Sequence, residues 1–444
     1  METTSAERAT ATTTSPPNEL LIREARRRTT RRRRRVGAAA FVVVVASLVL
    51  WYGGGGARSS SPLRASDSAP NRAAPGASNS AALAIAGGQS LIKTVSFGPR
   101  TLWVETADEM RLTGGAQAIE RTSNGGRTWT AVTPPGLGVT GGTHWITAFV
   151  ALSATRAWLA YGGPSSSAHQ ILETTSDAGR HWSRVGGLPH AACTLQFTSA
   201  ADGTCTNAVG AGGSMPIGIY RTSDGGASWR KIFQSGIATT SVAPGSIPFG
   251  CDKSIQFESA TRGFVFFWCA GGTGAFIYAT TSGGVTWFPR DVTAPSPVPS
   301  GGGGFGGTPV FNATRGAVPY LAGSYSAVYV TNDGGRSFHP VYPPGKPRTW
   351  AVDLISPSRW RLTYGKEILA TNNAGHSWFA VASNTVLTAH TYVKGAPPGG
   401  LVDFVSANDG WLTEHQYDPN SSLWRTTDGG RHWRRVEVPG TQKR

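Results

Sequence analysis

Thr222-Ser223-Asp224-Gly225-Gly226-Ala227-Ser228-Trp229 is the stretch whose reading decides the fold. It is one instance of an eight-residue box, Thr-x-(Asp/Asn)-x-Gly-x-x-(Trp/Phe). The box occurs seven times in 444 residues, starting at Thr122, Thr175, Thr222, Thr280, Thr331, Thr371 and Thr426. The fixed places are Asn124, Gly126 and Trp129 in the first copy, and Asp177, Gly179 and Trp182 in the second. The third has Asp224, Gly226 and Trp229. The fourth puts Ser282 at the acidic place and keeps Gly284 and Trp287. Asp333, Gly335 and Phe338, then Asn373, Gly375 and Trp378, then Asp428, Gly430 and Trp433 complete the set. Successive starts differ by 53, 47, 58, 51, 40 and 55 residues. A period near fifty belongs to an architecture that repeats one supersecondary unit.

Each box reads as a hairpin turn. Alternating flanks such as Ile219-Tyr220-Arg221-Thr222 and Trp229-Arg230-Lys231-Ile232 enter and leave it. Glycine adopts positive φ without steric cost. An Asp or Asn side chain accepts hydrogen bonds from backbone N–H groups of its own turn. The aromatic residue opens the returning strand with a large apolar face. Asn124, Ser282 and Asn373 stand where a catalytic carboxylate would be required, so the box is structural. Upstream of the boxes come apolar triplets such as Leu195-Gln196-Phe197, Ile255-Gln256-Phe257 and Val402-Asp403-Phe404. Strands such as Gly263–Trp268 and Gly410–Leu412 follow them. Each unit therefore supplies four short antiparallel strands with the box between the third and fourth. Seven units predict an all-β, seven-bladed β-propeller over residues 86 to 444.

The box resembles the Asp-box (BNR) repeat of sialidases, sortilin-type receptors, xyloglucan-hydrolase propellers and photosystem II assembly-factor propellers. Its Thr-x-Asp-Gly-Gly-x-x-Trp form, with an upstream Phe…Gly-Trp strand pair, is most similar to the last group and its bacterial relatives. The resemblance covers about residues 90 to 440. It is specific for fold and poorly specific for function. It implies a propeller that binds a protein partner and helps its assembly or stability, with no catalytic residue and no cofactor. An Asp-box glycoside hydrolase of sialidase or xyloglucanase type is the alternative.

Three segments precede the repeats. Residues 1 to 35 are polar and end in the basic run Arg31 to Arg35, with Arg23 and Arg26 to Arg28 before it. Residues 36 to 52 hold no charge and approach the length of a short membrane span. Trp51 and Tyr52 suit the far interface, and the arginines suit a cytoplasmic N-terminus. The expectation is a single-pass anchor with the propeller outside the cytoplasm; a cleaved signal peptide is the alternative. Residues 53 to 85, rich in Gly, Ser, Ala and Pro, read as a tether. The formal charge is +16, which favours acidic partners or an anionic envelope polymer and does not by itself imply nucleic acid.

The four cysteines fall at equivalent places in the third and fourth units, which suggests the pairs Cys193–Cys205 and Cys251–Cys269. Four free buried thiols are the alternative. No spacing resembles a metal site. The glycine-rich stretch Ser300 to Gly307 lacks the strand-to-helix context of a phosphate cradle and reads as a mobile loop.

Two constellations are candidate sites. Arg127, Arg180, Arg336, His376 and Arg431 follow the box Thr by five residues in five of the seven copies. Repetition predicts a ring on the box face that would dock an acidic partner, with Arg121, Arg221 and Arg425 adding charge nearby; solvated turn residues are the bland reading. On the opposite face lie His144, His169, His190, His390 and His415, together with Asp108, Glu109, Asp252, Glu414 and Asp418. Asp108 and Glu109 would approach Glu414 and Asp418 where the ring closes. A glycosidase needs two such carboxylates about 5 to 10 Å apart.

Overall fold

The computed structural model describes residues 90–440, apart from 109–115, 138–143, 163–169, 191–192, 209–215, 236–243, 249, 270–274, 298–301, 324, 388–401 and 415–420. All of these belong to one compact unit. The expected anchor and tether, residues 36–85, lie outside the described residues, as do Glu109, His169, His390, His415 and Asp418.

The described chain is all strand and turn, with no helix among the described residues. Six sheets follow one another along it. The third shows the basic unit: Thr194–Phe197, Gly203–Ala208, Ile217–Thr222 and Arg230–Gln234 pair in simple antiparallel order. The first sheet (Ser90–Ser96 to Thr130–Ala131), the second (Trp145–Ala151 to Ser183–Gly187) and the last (Val402–Phe404 to Arg434–Val436) repeat that order. Between the third and the last come a ten-stranded sheet carrying two boxes and a three-stranded sheet carrying one.

The three-stranded sheet is a four-strand unit in disguise. Its middle element, Arg359–Thr371, contains Gly365 at φ 60. The amide of Ala374, just past one end, donates to the carbonyl of Ser358, just before the other, at 2.9 Å. The run therefore doubles back on itself, and the hairpin that most other units make with a long connection is tight here.

The ten-stranded sheet arises because an extra strand joins two units. Gly303–Phe305 pairs with Trp268–Cys269 on one side and with Tyr320–Ala322 on the other. The expectation of a mobile loop at Ser300–Gly307 is corrected here: Gly302 to Phe305 are buried. A Cβ on Gly304 would collide with the backbone of Trp268, and one on Gly303 with the Tyr320 hydroxyl. Only glycine lets two foreign strands approach this closely. The preceding segment also differs from a plain loop, since Asp291–Val292 pairs in parallel with Ser337–Phe338.

Apolar side chains bridge consecutive units at every junction. Trp103 and Ile119 of the first sheet pack with Phe149 and Leu159 of the second, and Trp158 and Leu172 of the second with Leu195 and Phe197 of the third. Ile217 and Ile219 meet Phe257 and Val265, and Phe264 and Phe266 meet Val318 and Tyr320. Ala317 and Val328 meet Leu354 and Trp360, and Ile368 and Val381 meet Phe404 and Leu412. Finally, Trp411, Leu423 and Val436 of the last sheet pack with Leu91, Leu102 and Val104 of the first. The two ends of the described chain are thus joined through side chains as well as packed on their other neighbours.

Candidate functional site

All seven boxes are built alike. The Thr hydroxyl donates to the side-chain oxygen two residues on, at 2.6 to 3.2 Å, and accepts from the amide of the fifth residue, at 2.9 to 3.0 Å. The Asp, Asn or Ser oxygen accepts from the amide of the seventh residue. The amide of the fourth residue donates to the turn between the unit's first two strands, as from Gly225 to Ala201 and from Gly429 to Asn408. The box and the first hairpin of each unit therefore share one end of the sheet.

These bonds hold the box carboxylates ionised. Backbone and side-chain bonds from His181 keep Asp177 far below the usual carboxylate range, and bonds from Ser228 and Thr222 do the same for Asp224. A carboxylate held that low is a weak base near neutral pH. The box aromatics do more than cap the turn. Trp129, Trp182, Trp229, Trp287, Phe338, Trp378 and Trp433 each pack into the cluster shared with the preceding unit.

The sixth box residues Arg127, Arg180, Arg336, His376 and Arg431 are all exposed at this end. Further arginines crowd the same seams. Burial lowers the pKa of Arg425 most; Asp409 raises it, and Arg434, Arg127 and Arg100 lower it further. Arg121 is lowered by burial and then by Arg180, and Arg290 by burial and then by Arg262 and Arg336. Arg121, Arg221 and Arg425 are not free surface charges. Arg121 donates to the Ala154 carbonyl of the second sheet at 3.0 Å, Arg221 pairs with Asp202, and Arg425 lies against Gly125 of the first sheet. All three are half-buried.

Two of the opposite-face carboxylates, Asp108 and Glu414, are occupied within their own hairpins. Asp108 accepts from the Ala116 amide at 2.8 Å. Glu414 accepts from Trp424 Nε1 at 2.6 Å and from the Ser422 hydroxyl at 2.9 Å. His144 stacks edge-on to Tyr161. No group of three metal-ligating side chains occurs among the described residues. The cysteines form Cys193–Cys205 and Cys251–Cys269, which tie the start of a first strand to the second strand of the same unit.

Sequence reasoning missed a set of side-chain bonds between consecutive units. Gln196 bonds both the amide and the carbonyl of Phe257 in the next unit, at 2.8 and 2.7 Å. Gln256 donates to the Pro309 carbonyl at 3.2 Å, Lys93 to Phe149 at 2.7 Å, and Asp353 accepts from the Phe404 amide at 2.7 Å. Asp403 accepts from the Ser96 hydroxyl of the first sheet. The signal was present in the sequence: each quoted triplet carries a polar residue between two apolar ones.

The sequence matches no protein-family model and no curated protein. Solved structures do resemble it. YCF48 bound to a D1 peptide is 15% identical, over 80% of this chain and 96% of that chain, with a TM-score of 0.41. A GH74 xyloglucanase from Xanthomonas campestris is 14% identical, over 79% of this chain and 61% of that one, at 0.39. A prolyl endopeptidase is 12% identical, over 79% of this chain and 50% of that one, at 0.50. At such identities the likeness is one of fold alone, and the all-β, propeller-like architecture is read from this chain's own sheets.

Proposed function

We propose that this chain is a seven-bladed propeller, held at the outer side of the cell membrane by residues 36–52, whose box face docks an acidic protein as a scaffold or assembly factor. Seven boxes, seven junction clusters and the bonds from the last sheet to the first support the blade count. The observation that carries the docking role is the exposed basic set Arg127, Arg180, Arg336, His376 and Arg431, backed by seams where arginines crowd one another. Guanidinium groups on a rigid frame favour carboxylates through long-range attraction that salt weakens. The glycosidase reading has less to stand on, because Asp108 and Glu414 already accept bonds from their own hairpins.

Capture of binding proteins from the native envelope, followed by mass spectrometry, tests this. Replacing Arg127, Arg180, Arg336 and Arg431 by Ser together should abolish capture of a salt-sensitive acidic partner. Undiminished capture by that variant would remove the box face from consideration.

A further inference from the structure

We propose that the box end of the seam between the last sheet and the first is a binding site for a doubly charged phosphate group, free or carried as a monoester, with Arg425 and Arg434 on one side and Arg100 and Arg127 on the other. Arg425 and Arg434 are direct cross-strand partners on Ser422–Thr426 and Arg434–Val436. The guanidinium of Arg425 crosses to the first sheet and lies on Gly125. The Gly125 amide donates to the carbonyl of Arg100 at 2.9 Å, and Arg127 follows two residues later in the same turn. Two strands and two turns therefore bring four arginines to one place. Arg100, Arg127 and Arg434 are exposed, and no hydrogen bond or ion pair engages their side chains among the described residues.

Little acid balances them. Asp409 reaches Arg425 only at 3.9 Å, beyond hydrogen-bond distance, and Arg425 Nε is enclosed without an acceptor. Asp428 of the same sheet is taken up by the amide and ring of His432. Like charges directly opposite on paired strands repel. A bound dianion offsets that repulsion, and guanidinium forks match phosphate oxygens two at a time.

The seam between the third sheet and the next unit has the same frame without the excess. Arg221 lies on Gly283 as Arg425 lies on Gly125, and Arg230 is its cross-strand partner. The Gly283 amide bonds the carbonyl of Thr261, which stands where Arg100 does, and Val285 takes the place of Arg127. Asp202 pairs with Arg221 at 3.3 Å. The seam thus packs without an arginine at either of these two places, so the charge of Arg100 and Arg127 is available to a ligand. The site is a property of one seam and does not rest on the docking reading. A ligand that touches both sheets fastens the last unit to the first and protects both from opening, by binding linkage.

Amide hydrogen exchange on the full chain in uncharged detergent at pH 8, where phosphate is doubly charged, localises the site and separates it from the basic N-terminal segment. Inorganic phosphate and glycerol phosphate, at constant ionic strength set with chloride, should slow exchange at 100–104 and 434–436 and leave the equivalent segments 261–265 and 230–234 unchanged. Dimethyl phosphate, a diester with one charge, should bind at least about tenfold more weakly. Arg100→Ser/Arg434→Ser, at two exposed positions, should weaken phosphate binding about tenfold or more for each arginine. Arg180→Ser/Arg336→Ser, which removes arginines from other boxes, should keep the native affinity. Thr261→Arg/Val285→Arg should create a second protected seam at 261–265 and 230–234. The site is overturned by a native chain without localised protection, by native affinity in Arg100→Ser/Arg434→Ser, or by an equal loss in Arg180→Ser/Arg336→Ser.

Discussion

Gly126, the fifth residue of the first box, lies directly against the side chain of Val436 in the last sheet, so close that any Cβ at this glycine would collide with it. The same approach recurs around the chain: Gly179 meets Val132, Gly226 meets Leu172, Gly375 meets Val341 and Gly430 meets Ile368. The box glycine thus has two duties, a positive φ for its own turn and a docking face for the preceding unit. Gly126→Ala should cost about 1–2 kcal/mol for the left-handed backbone and about 1–3 kcal/mol for overpacking. Adding Val436→Ala should recover part of the second cost only. Urea unfolding of the single and double variants would show it as a coupling energy; strictly additive effects would mean that the contact carries no strain.

Ala178 and Ala374 occupy the fourth box place, where the other five copies have glycine, and adopt φ of 69 and 57. A left-handed alanine costs about 1–2 kcal/mol, while glycine loses about 0.5–1 kcal/mol of extra chain entropy on folding. Ala178→Gly and Ala374→Gly should each therefore stabilise the protein slightly, by about 0.5–1 kcal/mol, raising the unfolding midpoint. A lowered midpoint would contradict the argument.

The parts of this fold that sequence reveals are those whose cause is local. Thr, Asp and Gly within eight residues make one turn, and the bonds from Thr222 and Asp224 follow from their spacing. The strands on either side read from alternation, and Val402–Phe404 falls where its triplet placed it. Illegible features have partners far away in the chain. Nothing in the composition of Gly302–Gly307 distinguishes a mobile loop from a strand wedged between Trp268 and Tyr320, since glycine serves both. The exposed basic places were readable from the repeat itself, but the engagement of Arg121 with Ala154, and of Glu414 with Trp424, depends on neighbours that a single sequence does not reveal.

Gly304 tests that wedge. Its missing Cβ is what lets Trp268 approach, and a side chain there must push two strands apart. Gly304→Ala should destabilise by about 1–3 kcal/mol and open the 303–305 segment to limited proteolysis, while Gly345→Ala, at a turn with open space around it, should bear only the backbone cost of its positive φ. A Gly304→Ala variant as stable and as protease-resistant as the native chain would show that the close approach has no energetic weight.

Two sets of carboxyls give opposite pH dependences. For Asp428, burial opposes the shift but bonds from His432 and Thr426 outweigh it and bring the pKa to about 2. Such lowered groups stabilise the fold above the unfolded value near 4 and lose that contribution as pH falls toward their folded values. Glu120 is pushed up to about 7 by burial, and Glu258 to about 7 by burial against the pull of Arg262. Raised groups contribute fully below pH ~4 and lose the contribution as pH rises through about 7, which for each is about 3 kcal/mol at most. Thermal midpoints should therefore climb from pH 2 to a maximum between about pH 4 and 5, then decline toward pH 8. Glu120→Gln should flatten that decline, because the buried amide has no charge to desolvate. A decline of unchanged steepness in this variant would place the loss elsewhere, and a midpoint rising through pH 7 would reverse the sign assigned to both glutamates.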